Sequence, residues 1–285
     1  MTVDLLRSLS FFVQVRIPET QKMATGESFR IFLSSIAYLS CRSIWLSWMK
    51  ILSSISIEKI MKEILLFLRE LETHNHKEWM DANRSQYQQA RADFQNLVGD
   101  LLQQMVELEP EMVTLRAQDC IFRQNRDIRF SANKNPYKIH MAAYFAVGGK
   151  KSDGPGYYLH IQPGESFLGG GIYWPSSEIL KKIRQEIDYS GQELAAIVEQ
   201  PLFKKRFGDI EGEKLKTSPK DYSKDHPYIE FLRMKSFIAG HSLSDKEVTH
   251  PHLVTTVMAS FKLMKPLNDF LASAVEGSEG GEGFL

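Results

Sequence analysis

The chain has 285 residues, 43% of them hydrophobic and 25% charged, and its 35 basic and 35 acidic side chains cancel to a formal net charge of zero. That composition is ordinary for a globular protein able to bury a core, and the zero balance excludes a global pull toward nucleic acid, an anionic membrane or a cationic substrate. The two cysteines, Cys41 and Cys120, lie far apart and form no C-x-x-C pair, which excludes a disulfide framework and thiolate zinc patterns and fits a reducing, cytoplasmic setting.

Residues 1–60 differ in composition from the rest. Up to Ile57 the acidic residues are Asp4, Glu19 and Glu27, against Arg7, Arg16, Lys22, Arg30, Arg42 and Lys50. Arg42 and Lys50 interrupt the apolar run from Ile31 to Ile57, whereas a membrane-spanning helix needs roughly 20 predominantly apolar residues. The expectation is an extension outside the domain, either disordered or a misplaced translation start, with no membrane partner.

From residue 61 the pattern is that of a domain. Ile64, Phe67, Leu68 and Leu71 follow helical spacing, and a second, long helix enters at Trp79 and runs through Tyr87, Phe94, Leu101 and Met105 until Glu109-Pro110 stops it. The period then falls to two. Ile139, Met141, Ala143, Phe145 and Val147 alternate with His140, Ala142, Tyr144 and Ala146, and Tyr157 to Gln162 alternates again. A third strand is expected over Phe167 to Trp174, after a Pro163-Gly164-Glu165 turn.

Pro175-Ser176-Ser177 signals a helix start, with Leu180, Ile183 and Ile187 on the buried face, and Gly191 to Gln200 reads as a separate short helix. Lys214 to Pro227 is a long loop, Met234 to Ala239 a strand, and His252 to Val275 a final helix that Pro266 kinks or divides. Residues 277–285 are expected to be a disordered tail. The whole predicts one α+β domain over residues 61–276, with a mainly antiparallel sheet of about four to six strands packed by N-terminal, central and C-terminal helices.

The densest chemical signal is the segment from Ile121 to Lys138, where Arg123, Arg126, Arg129, Lys134 and Lys138 are offset by Asp127 alone. Guanidinium forks match carboxylate and phosphate oxygens, so convergence of these cations would clamp a small phosphorylated or carboxylated ligand, with Tyr137 beside them. The alternative is that they pair internally or line a solvated edge. His140 and His160 fall on the same strand phase as Tyr144 and Tyr158, which makes His140, His160 and Tyr137 the candidates for any chemistry, although a satisfied structural histidine is the commoner fate. His74-x-His76 and His250-x-His252 lack an acidic cluster, so no metal is expected, and no cofactor motif is present. Gly169-Gly170-Gly171 marks either a bend in a strand or a close backbone approach. A second basic stretch, Lys214, Lys216, Lys220, Lys224 and Arg233 with Tyr222 and Tyr228, would suit a nucleic-acid-associated module, but Asp221, Asp225 and Glu230 interrupt it and a solvated loop is favoured. A non-catalytic interaction protein is the third reading.

The residues Arg126, Asp127, Arg129, Phe130, Ser131, Lys134, Pro136, Tyr137 and Lys138 form an Arg-Asp-x-Arg-Phe-Ser and Lys-x-Pro-Tyr-Lys pattern that resembles the domain of unknown function family 2461. The resemblance extends to Phe67-Leu68-x-x-Leu71, Asn75, Trp79, Gly169-Gly170-Gly171, Trp174-Pro175, Ile183-Arg184 and Leu215-Lys216, and covers nearly all of residues 61–276. His74-Asn75-His76 stands where the family's Asn-Asn-like pair is expected, which puts a special role for that turn in question. The resemblance implies no established activity and leaves residues 1–60 outside the domain.

Overall fold

The computed structural model describes residues 57–276, so the expectations for residues 1–56 and for the C-terminal tail fall outside the described residues, while residues 57–60, expected as the end of the extension, belong to the first helix. Helix α1 runs through residues 57–73 and turns Met61, Ile64, Phe67, Leu68 and Leu71 into the core at the spacing of one helical face. The second helical pattern forms two helices where one was expected, α2 (Lys77–Ala82) and α3 (Arg84–Leu108). Asn83 separates them at φ −104° and ψ 23°, and its side-chain amide donates to the Trp79 carbonyl at 2.9 Å, a local bond that competes with helix continuation. Glu109 ends α3, a 3₁₀ turn covers Pro110–Thr114, and a short α4 covers Ala117–Cys120.

Four antiparallel strands follow in the order β1 (Met141–Phe145), β2 (Gly156–Ile161), β3 (Ser166–Ile172) and β4 (Phe237–Leu243). The first strand is shorter than its alternating pattern, and Val147 lies 48% exposed beyond its end. The last strand begins three residues later than expected because its pairing is set by β3, Ile172 opposite Phe237 and Ser166 opposite Leu243, while Met234 makes only an isolated bridge to Lys214.

Between β3 and β4 run α5 (Ser177–Glu199), α6 (Pro201–Phe207) and the short α7 (Ile229–Leu232). Ser176 caps α5, accepting the Ile179 N–H at 3.3 Å. The stretch expected as a separate helix after Gly191 continues α5 across a non-helical Ser190. A short α8 (Asp245–Val248), closed by a capping box of Ser244 and Glu247, leads to α9 (Leu253–Glu276), which Pro266 does not divide. No helix among the described residues is long and apolar enough to cross a membrane.

The register sorts the strand residues onto two faces. Phe145, Tyr157, Leu159, Leu168 and Phe237 point toward the helices and are buried, and α9 packs directly there, with Phe261 against Tyr157 at 5.0 Å and Phe145 at 6.0 Å between ring centroids. The Tyr157 hydroxyl donates to Glu109 at 2.6 Å, Lys265 lies 3.3 Å from the same carboxylate, and the Asn268 amide donates to the Gly156 carbonyl, so one polar network ties α3, β2 and α9. Gly170 is required on this face, since a Cβ would stand 2.7 Å from the Met264 sulfur. Tyr144, Gly156, Tyr158, His160, Phe167, Gly169, Gly171 and Ile238 occupy the opposite face.

Candidate functional site

Backbone pairing determines where the basic segment goes. Ile121 bridges Ala143 and Asn125 bridges Tyr137, so the chain pairs as a two-stranded arm continuing the β1 edge, with residues 127–135 as its loop. The Phe122, Arg126 and Lys138 amides complete it, donating to Ala142, Pro136 and Gln124 carbonyls at 2.8 to 3.0 Å. Asn75 fixes the arm to the turn after α1: its side chain donates to the Tyr137 carbonyl and accepts the Tyr137 N–H, both at 3.0 Å. The turn His74-Asn75-His76 therefore has a definite job in spite of its flanking histidines. His76 caps α2 through the Trp79 N–H, and His74 stacks on the Trp79 ring.

The predicted cations do not all converge. Arg129 is bonded to Asp127 at 2.7 and 3.0 Å, which holds the Asp127 carboxyl below its usual pKa and raises that of Arg129. Arg126 donates to the Asn135 carbonyl and the Ser131 hydroxyl, and Lys134 to the Ile128 carbonyl. These three side chains staple the loop to itself. The Tyr137 ring packs on the hydrophobic core and takes no place in the cavity described below. Lys138 and Arg123 differ: neither lies within salt-bridge distance of a carboxylate among the described residues, although the charge of Arg123 acts on Asp127, and the Lys138 ammonium stands 5.4 Å over the Phe122 ring; neither cation, nor His140 or His160, lines the cavity itself. Burial, and then the charge of Arg123, hold Lys138 below the usual lysine pKa.

Phe122 leads to the helix-free face of the sheet, where a cavity of about 680 Å³ opens. Its floor is main chain at Gly156, Gly169 and Gly171, and its walls are Phe122, Tyr158, Phe167 and the Tyr173-Trp174 pair. The glycine floor has two physical causes. Gly171 sits at φ +120° with the Phe237 carbonyl 1.9 Å from where a Cβ would be, so it answers a backbone bend and close strand approach. Gly169 is less tightly held, its nearest would-be contact being the Ala239 carbonyl at 3.3 Å. Lys150 closes one corner, with its ammonium donating to the Ile121 carbonyl at 2.9 Å.

The two histidines meet on this face, ring centroids 4.2 Å apart, and His160 also stacks on Phe167 at 4.7 Å. The Gln162 amide donates to Glu165, so its oxygen faces His160 and accepts the Nε2 proton at 3.0 Å, leaving Nδ1 to accept from the Tyr158 hydroxyl at 3.1 Å. His160 is thereby a fully bonded neutral imidazole. The His140 ring makes no hydrogen bond among the described residues, and burial, followed by His160 and Lys138, lowers its pKa to about 4. Burial raises Tyr144 and Tyr158 to about 12, so both phenols stay protonated.

Elsewhere the candidates resolve into structure. In the second basic stretch Lys214 and Arg233 pair with Glu230, and Lys235 pairs with Glu213. Cys120 is fully buried, and desolvation raises its thiol to about 11, out of the nucleophilic range. No metal-holding cluster of His, Cys, Asp or Glu exists among the described residues. Sequence reasoning missed Phe122, Tyr173, Trp174 and Lys150 as cavity residues. The available signal was the run of aromatics flanking the triple glycine.

Compared with known proteins, residues 63–270 match the model of a family described as a conserved hypothetical protein, DUF2461. No curated protein and no solved structure matches the chain.

Proposed function

Because the chain belongs to the DUF2461 family of conserved hypothetical proteins, whose description names no activity, we propose from the site's geometry that this protein binds a small anionic ligand on the helix-free face of its sheet. The observation that carries the reading is a concave aromatic cavity lined by one ammonium without a carboxylate partner among the described residues, Lys150, with a second, Lys138, on the ring of its Phe122 wall. An apolar pocket with a few convergent polar groups is the usual form of a small-molecule site. A phosphate or carboxylate beside Lys138 and Arg123 would relieve the repulsion between these two cations. His140 adds a neutral imidazole with uncommitted nitrogens on the same face. The anion clamp is thus narrower than the basic segment suggests: Lys150 in the lining and Lys138 beside the Phe122 wall face the ligand, and Arg126, Arg129 and Lys134 shape the loop behind them.

The test is thermal unfolding of the full chain against a panel of phosphorylated metabolites and carboxylates. A ligand at 100 times its Kd stabilises the native state by about 2.7 kcal/mol, several degrees for a domain of this size. Lys138→Ala is expected to erase the shift and Arg129→Ala to leave it. Loss of the shift in Arg129→Ala with retention in Lys138→Ala would move the site to the loop and refute the assignment.

A further inference from the structure

The cavity is chemically polar along its length. The cation that lines it, Lys150, sits on the Phe122 side with its ammonium bonded to the Ile121 carbonyl at 2.9 Å, and the Lys138 ammonium stands 5.4 Å from the Phe122 ring centroid. At the other end, past Gly171, the chain presents Tyr173 at 74% and Trp174 at 53% exposure, their rings T-shaped at 6.3 Å. From Phe167 to Gly171 the strand alone rises about 13 Å. Phe130 and Tyr189 are exposed as well, but Tyr173 and Trp174 are adjacent and both line the cavity, which makes them a patch and not isolated surface aromatics.

Trp174 is also the one non-glycine residue among those described with a positive φ, at 48°. That conformation is unfavourable for a bulky side chain and persists only where the surroundings hold it. Here the holder is specific. The Trp174 N–H donates at 3.0 Å to the hydroxyl of Ser236, which is itself 2% exposed, and the Lys235 ammonium lies 5.6 Å from the indole centroid. The indole is thereby kept at the cavity lip, where Pro175 and Ser176 continue the wall.

A ligand matched to this site carries a planar ring at one end and a single anionic group at the other. We propose, building on the anion reading above, that the cavity takes a mononucleotide, its base stacked at Trp174 and its phosphate toward Lys150 and the Lys138 ammonium on the Phe122 ring. Gly169 carries no side chain into the cavity, while the Tyr144 ring fills the space over Gly156 and the Phe237 carbonyl that over Gly171, so the floor between the two ends is low and flat at Gly169. A free phosphate or an aliphatic carboxylate leaves the aromatic end unused. A nucleic-acid strand fits less well, because the turn at Ser152 to Gly154 and the Trp174 to Ser176 segment wall the cavity, and Lys235 at the far end is neutralised by Glu213. Successive phosphates would meet no second free cation there.

The experiment is calorimetric titration of the full chain with adenosine and cytidine monophosphates, ribose 5-phosphate and oligothymidylates of increasing length. It is repeated on Trp174→Gly, which removes the indole while accepting the positive φ, on Trp174→Phe, and on Lys138→Ala. Base–aromatic stacking predicts that deleting either the base or the indole weakens binding about tenfold or more, and that Trp174→Phe recovers much of the loss. Equal affinity for ribose 5-phosphate and the mononucleotides, with both lost in Lys138→Ala, would overturn the mononucleotide while leaving the anion site standing. Unchanged mononucleotide affinity in Trp174→Gly would overturn the stacking assignment. Affinity that climbs with oligothymidylate length would replace the mononucleotide with single-stranded nucleic acid. No binding by any phosphate compound would remove both readings.

Discussion

Tyr157 and Tyr158 are neighbours in one strand and live in different chemical worlds. Tyr157 is 1% exposed, lies against Phe261 of α9 and gives its proton to Glu109. Tyr158, half-buried on the reverse face, packs edge-on to Phe122, bonds His160 and lines the cavity. Both faces are rich in aromatics, so hydrophobicity alone does not separate them. What separates them is coverage: one face is sealed by helices, and the other is bounded by loops over a floor of glycines. Burial on the first stabilises the fold, and the partial exposure of Phe167, Tyr173 and Trp174 on the second is surface reserved for something other than folding.

The comparison is broken most severely at the glycines. Gly171→Ala should destabilise the protein on the order of 4 kcal/mol, because the new Cβ meets the Phe237 carbonyl and the backbone sits in a glycine-favoured region. Gly169→Ala, two residues away and facing the cavity, would press the Ala239 carbonyl at 3.3 Å and should cost distinctly less stability than Gly171→Ala, yet weaken anion binding by narrowing the floor. Denaturant titration of the two variants beside a binding assay checks this. Equal stability losses would mean that the triple glycine is structural throughout.

A smaller effect distinguishes the faces through pH. His140 has a folded pKa of about 4 against an ordinary value of 6.5, and burial lowers His160 as well. The unfolded chain therefore takes up these protons first. The contribution is fully present above about pH 6.5 and is lost as pH falls toward 4. Partial exposure of the His140 ring keeps its share of the effect modest. His140→Phe should flatten that part of the stability–pH curve, measured by denaturant midpoints between pH 4 and 7, with His160 accounting for the slope that remains. An unchanged curve would show that His140 is solvated.

Much of the fold could be read directly from residue order. Glu109-Pro110 ends a helix, Ser176 caps one, and alternation around Tyr144 and Tyr158 marks paired strands with His140 and His160 on a common side, because these signals act over a few residues. The extents of β1 and β4 were less legible, since strand ends depend on which partner continues alongside. The site was legible in part. The basic segment stands out by composition, but composition does not reveal that Asp127 engages Arg129 two positions away, or that Asn135 and Ser131 occupy Arg126. Nor does it show that Phe122 and Trp174, far apart along the chain, wall one cavity, because that proximity arises from strand register and the path out of β3.

The most direct test is to map backbone amide shifts on the full chain while titrating inorganic phosphate. The account predicts saturable perturbations at Phe122, Lys138, Tyr158 and Gly169, on the helix-free face. Perturbations confined to Arg126, Arg129 and Lys134 in the loop, or none at high phosphate, would contradict it.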